Sequence, residues 1–166
     1  SRDLNALGAM ADLATQRKVG PRASYILNRY LNYSNYCILS CQFCAFARKK
    51  RDADGFELSV EQMVGKAREA LSLGITELHI VGGLHPSLPF DYYTGMLRAL
   101  KALDARLQLK CFTAIEVLHL AWLGKRSVRD TLVALKEAGL DSLTGGGAEF
   151  FSRPVALPFS ITIALP

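Results

Sequence analysis

The sequence predicts an α/β protein, the N-terminal part of a (β/α) partial barrel of the TIM type, with about four βα units behind a leading helix. Three observations carry that expectation. Segments of helical and extended apolar spacing alternate along the chain, which is the pattern of parallel strands joined by right-handed crossovers. Gly74-Ile75-Thr76-Glu77-Leu78 and Gly139-Leu140-Asp141-Ser142-Leu143 echo one another. Each follows a helical stretch and leads to a glycine cluster, Gly82-Gly83 or Gly145-Gly146-Gly147. Finally, a complete eight-unit barrel takes roughly 250 residues, whereas this chain has 166.

Taken in order, Leu4, Leu7, Ala11 and Ala14 fall at helical spacing until Gly20-Pro21 ends the pattern. Residues 25–31 alternate as a first strand and lead into a loop of cysteines. Ser59 with Gln62 forms a capping box. Val60, Met63, Val64, Ala67 and Leu71 then mark one helical face, with Gly74 at the C′ position. Residues 75–81 read as a buried strand, Tyr93, Met96, Leu97 and Leu100 as a helix, and residues 107–113 as a third strand. Residues 127–138 read as a helix with Val128, Leu132 and Leu135 inward, and residues 140–143 as a short fourth strand. The cysteine loop, Gly82-Gly83, residues 113–116 and the glycine triplet would then share the rim where a barrel's strands end. Residues 1–151 form this part of a core, with the cysteine loop at 33–50. Residues 152–166, with three prolines and no helical period, read as an atypical tail outside the original fold, and the chain as C-terminally truncated.

Half the residues are hydrophobic and 21% charged, ordinary for a soluble domain with one core. No apolar run reaches the roughly 20 residues of a membrane helix. The N-terminus lacks the apolar core of a secretory signal, so a cytoplasmic protein without a membrane partner is expected. A net charge of +5 favours an anionic partner. Arg48-Lys49-Lys50-Arg51 reads as a solvated loop, because nucleic-acid binding would want interleaved aromatics or a known module.

Cys37, Cys41 and Cys44 bunch three thiols on one loop, and Cys111 stands far away. Such clustering in a reducing compartment points to metal, and soft thiolates select zinc, copper(I) or iron–sulfur. Three readings stay open. Three cysteines can hold a 4Fe–4S cluster whose fourth iron binds an exchangeable ligand. They can hold zinc with His79, His85 or His119 as the fourth ligand. Or Cys111 can complete an all-cysteine electron-transfer cluster. The strand assignment argues against Cys111 and His79, both inside strands, and leaves His85 as the histidine nearest the rim. Phe43 could cover a planar ligand or be an ordinary core aromatic. Glycines at a strand end allow close approach of a ligand.

The motif C-x-x-x-C-x-Φ-C after a first strand, with a glycine pair after the second, resembles the radical S-adenosylmethionine (SAM) enzymes. NRYLNYSNYCILSCQFCAF, ELHIVGGLHPSLPFDYY, KCFTAIEV and LKEAGLDSLTGGGAEFF, in that order, are similar to the aminofutalosine synthase family of menaquinone biosynthesis. Cyclic dehypoxanthinyl futalosine synthase and FO synthase share the cluster motif, and IVGGLHP with FTAIE favours the first family. Thr144 departs from the family's proline before the glycine triplet.

The resemblance implies a 4Fe–4S cluster held by Cys37, Cys41 and Cys44, and SAM as co-substrate. Gly82 and Gly83 match the glycine motif at the methionine amino group, and Phe43 matches the aromatic beside the adenine. Glu116 matches a polar rim position toward the SAM ribose or the substrate, with a solvated surface acid as the alternative. His85 and Gly145-Gly146-Gly147 match family motifs without an assigned role, and no catalytic residue is identified. The implied reaction adds the 5′-deoxyadenosyl radical of SAM to 3-(1-carboxyvinyloxy)benzoate. It releases methionine and bicarbonate and yields aminofutalosine. A small dicarboxylate substrate and an electron donor such as flavodoxin or ferredoxin are the implied partners. The competing class is a non-catalytic iron–sulfur or zinc module, or an inactive remnant.

Overall fold

The computed structural model describes residues 3–41 and 44–145. Helix α1 (Leu4–Val19) precedes strand β1 (Asn28–Tyr30). Then follow α2 (Val60–Ser72), β2 (Glu77–Ile80), α3 (Phe90–Lys101), β3 (Gln108–Cys111), α4 (Ala114–Leu123) and α5 (Val128–Glu137). The strands form one parallel sheet in the order β1-β2-β3, with Tyr30 opposite His79 and Ile80 opposite Cys111. The expected fourth strand starts beside β3 as a parallel bridge between Lys110 and Ser142. The Cys111 N–H donates to the Ser142 carbonyl there, and the Thr144 N–H to that of Phe112, each at 3.0 Å. The fold is therefore the expected barrel segment, with strands shorter than the apolar runs suggested.

The two faces of the sheet differ in kind. Leu78, Ile80, Leu109 and Cys111 point to one side and are fully buried with Met63, Met96, Leu97, Leu100 and Leu135. The register puts Asn28 and Tyr30, Glu77 and His79, and Gln108 and Lys110 on the other side. A strand alternates its faces with period two, so one set of strands builds both the apolar layer under the helices and a polar inner face.

Helix boundaries follow from capping chemistry. At Ser59 the hydroxyl accepts from the Gln62 N–H, and the Gln62 side chain accepts from the Ser59 N–H, as expected. Gly74 follows α2 at φ +79°, a conformation that favours glycine. Helix α4 departs from the expectation, in which residues 113–116 are rim loop. Thr113-x-x-Glu116 is nonetheless a second capping box, with both reciprocal hydrogen bonds formed. The same spacing rule that located α2 would have located it.

One expectation needs correction, and one expected helix forms without burying its apolar positions. In α5 the buried stripe runs through Thr131, Leu135 and Ala138, and Val128 is exposed. Packing of α5 against α3 and α4 turns the helix so that its first residue faces outward. Helix α1 forms, capped by Asp3, but Leu4, Leu7, Met10 and Leu13 are exposed and none of its residues is buried. Its apolar positions have no counterpart among the described residues. Phe43, Gly146, Gly147 and the tail at 152–166 lie outside the described residues.

Candidate functional site

The cysteine loop leaves the C-terminal end of β1 and is framed by the chain that returns from it. Ser34 pairs antiparallel with Glu57, and Tyr36 bridges to Arg48. Asn35 does most of the joining. Its side chain accepts from the Phe56 N–H at 2.7 Å and donates to the Asp54 carbonyl at 3.0 Å. Its own carbonyl accepts from the Arg48 N–H at 2.8 Å.

Cys37, Cys41 and Cys44 are free thiols on this frame, each half-buried. The Cys37 sulfur accepts from the Leu39 and Leu84 N–H groups, each at 3.4 Å. The Cys41 thiol is pushed up, first by burial and then by the neighbouring Cys37 and Cys44 charges. A bound cation would relieve that mutual repulsion. Among the described residues no group of three or more His, Cys, Asp or Glu side chains is gathered closely enough to hold a metal ion. The donor chemistry nevertheless fits an iron–sulfur cluster: three soft thiols share one loop, and one already has N–H partners.

The other candidates for a fourth ligand are engaged elsewhere. Cys111 is fully buried in β3 and its thiol is pushed well up by burial. His79 stacks on Tyr30 with ring centroids 4.9 Å apart. His119 meets the His85 carbonyl at 2.8 Å. The Nδ1 of His85 accepts from the Ser87 and Leu88 N–H groups at 3.1 and 2.9 Å, and its Nε2 lies 2.6 Å from a Glu57 carboxylate oxygen. Nδ1 is thus committed, and Nε2 faces the Glu57 carboxylate. Burial keeps this imidazole below its usual range although Glu57 pulls the other way. His85 anchors the turn after β2 to the return of the cysteine loop, a role that spacing alone did not reveal.

Gly82 and Gly83 sit where the sequence placed them, at the end of β2, and tight packing explains both. A Cβ on Gly82 would overlap the Tyr33 ring, and one on Gly83 would overlap the Tyr36 carbonyl. The Gly82 N–H donates to Glu116 at 2.9 Å and the Gly83 N–H to the Ser34 carbonyl at 3.0 Å. The Gly83 carbonyl in turn accepts from the Tyr33 hydroxyl at 3.2 Å, so both N–H groups and one carbonyl of this turn are engaged within the chain.

Glu116 is neither a solvated acid nor a side chain open at the rim. It is buried, because α4, where a rim loop is expected, starts at Ala114 and its capping box draws the carboxylate inward. One oxygen accepts from the Tyr33 hydroxyl and the Gly82 N–H, each at 2.9 Å, and the other from the Thr113 N–H at 2.7 Å. Tyr33, also fully buried, packs edge-on against Tyr92, Tyr93 and Phe112. Glu116 therefore ties the ends of β1 and β2 to the start of α4. Burial pushes its carboxyl above the ordinary 4.5, and the three donors only partly offset this.

Two consequences are measurable. Glu116→Leu takes the acceptor from the half-buried Gly82 and Thr113 N–H groups and leaves the Tyr33 hydroxyl with the Gly83 carbonyl at 3.2 Å. At about 1–3 kcal/mol for a buried unsatisfied donor, it should lower the urea midpoint. A carboxyl raised in the folded state binds its proton more tightly folded than unfolded. Its contribution is therefore greatest below pH 4.5 and declines as pH rises through the raised value. Wild type should lose stability relative to Glu116→Gln across that window, and parallel curves would contradict the shift.

The basic run also needs correction. Lys50 and Arg51 are exposed, but Arg48 and Lys49 are half-buried. Arg48 binds the Ala45 and Ala47 carbonyls and pairs with Asp54 at 2.7 Å. Lys49 donates to the carbonyls of Cys37, Ile38 and Leu39 at 2.8, 3.1 and 2.9 Å. Half of the run therefore belongs to the scaffold of the cysteine loop.

A parallel α/β barrel segment with a three-thiol loop after its first strand and a glycine turn after its second defines a class of cofactor-dependent α/β enzymes. The Radical SAM superfamily model matches residues 31–153, and the chain belongs to that superfamily, whose enzymes use a 4Fe–4S cluster together with SAM. It is 44% identical over 155 residues to the aminodeoxyfutalosine synthase of Streptomyces coelicolor, covering 93% of this chain and 40% of that protein. It is 40% identical over 153 residues to the FO synthase of Nocardia farcinica, covering 92% of this chain and 18% of that protein. The chain thus spans well under half the length of these relatives. The crystal structure of HydG, a maturase of the FeFe-hydrogenase, matches 88% of this chain and 40% of its own, with TM-score 0.57 and 17% identity. That likeness speaks to the fold alone.

Proposed function

We propose that this chain supplies the cluster- and SAM-binding part of an enzyme that joins the 5′-deoxyadenosyl group of SAM to 3-(1-carboxyvinyloxy)benzoate, forming aminofutalosine. The observation that carries the cofactor half is the loop itself. Cys37, Cys41 and Cys44 stand free at the end of β1, with two N–H groups already on the Cys37 sulfur. The similarity to aminodeoxyfutalosine synthase supports the choice of reaction.

When bound, the cluster supplies the electron for reductive cleavage of SAM. The chain's own residues hold and orient. The three thiolates would hold the iron, and the Gly82-Gly83 turn would receive the methionine ammonium. Glu116 and Tyr33 keep that turn in place. On the inner face, Lys110 and His79 stand opposite one another in the register, and Tyr30 stacks on His79. A cation beside an aromatic pair suits a benzoate-bearing substrate. Lys110→Met should raise the KM for that substrate roughly tenfold or more, since a hydrogen bond to a charged group contributes about 1.5–3 kcal/mol. SAM cleavage without substrate should be unchanged, and an unaltered KM would remove Lys110 from the site.

The test of the reading is anaerobic reconstitution with iron and sulfide, followed by reduction and incubation with SAM and the benzoate substrate. Aminofutalosine detected by mass spectrometry supports it. A colourless protein with one zinc per chain overturns it. The 40% identity to FO synthase favours a second reading, in which SAM cleavage yields 5′-deoxyadenosine and the product appears only with FO synthase substrates.

A further inference from the structure

We propose that Lys49 is a positioning residue for the cysteine loop: a resident cation that sets the path of residues 37–41 before any metal arrives and then offsets negative charge on the loop. This rests on the cluster reading above for its second half only.

An ammonium has three N–H donors, and all three of Lys49 are engaged by consecutive carbonyls, those of Cys37, Ile38 and Leu39. In a planar trans peptide the N–H points opposite to the C=O of the same unit. Gathering three carbonyls on one cation therefore turns the following amides to the other side. The structure shows two of them there: the Ile38 N–H donates to the Leu84 carbonyl at 2.9 Å, and the Leu39 N–H to the Cys37 sulfur at 3.4 Å. Lys49 thus acts on the ligand loop through the peptide dipoles between them, with their positive ends away from the ammonium.

The lysine is itself held. Its N–H donates to an Asp52 carboxylate oxygen at 2.7 Å and its carbonyl accepts from the Asp52 N–H at 2.9 Å. Lys50 is the internal contrast, since it carries the same charge one residue on but is exposed, with its ammonium on the Ser87 hydroxyl at 3.2 Å. A compact ammonium is strongly hydrated, so replacing its water with three carbonyls implies an organised seat rather than an incidental contact. A fixed cation on the carbonyls of the cysteine loop, its charge felt at the Cys41 thiol, also favours the more negative, reduced form of any cluster the loop holds.

The experiment compares wild type with Lys49→Met, Lys49→Arg and Lys50→Met, all checked for global folding by thermal unfolding. In the metal-free chain, Lys49→Met should speed hydrogen exchange of the amides at 38–41 by on the order of tenfold or more, with the sheet amides unchanged. Lys50→Met should leave them as in wild type. After reconstitution, Lys49→Met should reduce about tenfold less cluster at a fixed potential, about 59 mV for a one-electron couple. Lys49→Arg should keep the potential but not the full exchange protection, because a planar guanidinium cannot converge three donors as an ammonium does. Wild-type exchange in Lys49→Met overturns the positioning role. A wild-type potential in Lys49→Met, or an equal shift in Lys50→Met, overturns the charge role. If no variant, wild type included, takes up iron and sulfide, the cluster reading fails while the exchange comparison still decides what Lys49 does.

Discussion

Cys37→Ala should abolish iron and sulfide uptake, with SAM cleavage falling beyond the roughly 10–100-fold that changes outside the ligand set cost. Two losses coincide in that variant. One thiolate of three is removed, and the Leu39 and Leu84 N–H groups lose the sulfur they donate to. The turn after β2 is then no longer tied to the loop by that atom. Cys111→Ala is the matching control. Its thiol is fully buried in β3 among core residues, so cluster content should persist while stability falls. Iron, sulfide and the visible spectrum, measured anaerobically on both variants, decide the matter. Full iron content in Cys37→Ala would show that the ligand assignment is wrong.

Gly83→Ala should damage both the fold and the site, although it adds one methyl group. An added Cβ would overlap the Tyr36 carbonyl and stand 2.9 Å from the Cys37 Cβ. Those are backbone and near-backbone atoms, which cannot swing aside as the end of a long side chain can. The turn must therefore move away from the cysteine loop. That movement strains the hydrogen bonds from Gly83 N–H to Ser34 and from Ile38 N–H to Leu84. Overpacking of this kind costs typically about 1–3 kcal/mol, and cluster uptake should fall with it. Gly65→Ala provides the opposite sign. Gly65 lies within α2 with nothing near its Cβ position, and glycine in a helix interior is about 0.8–1 kcal/mol worse than alanine. An unchanged denaturation midpoint for Gly83→Ala would sink the packing argument.

The difference between these two glycines marks the limit of reading from sequence. A glycine pair at a strand end suggests close approach, but only the folded chain shows what approaches. Here Tyr33 and the Tyr36 carbonyl fill the Cβ side of the pair. Glu116 teaches the same lesson. Its position after β3 was legible, whereas its inward turn depends on Phe112, at φ +65°, and on the capping box that starts α4. That capping box is written in the sequence, in a segment whose place at a strand end suggests a rim loop instead. Lys49 left no such trace, since a basic run looks the same whether its carbonyl partners are water or the chain.

Local rules acting through near neighbours determined the alternating elements, the Ser59 cap, the parallel order of the sheet and the cysteine spacing. Such features depend on residues a few positions apart, and helical and extended periods are readable one segment at a time. The tertiary structure decided which faces meet. It put Val128 outside and Thr131 inside, left the apolar positions of α1 exposed, and committed His85 to Glu57. It drew the Glu116 carboxylate between Tyr33, Gly82 and Thr113, residues up to 83 positions apart. Burial and hydrogen-bond partnership across such separations are set by packing, and packing is a property of the whole chain that no local pattern encodes.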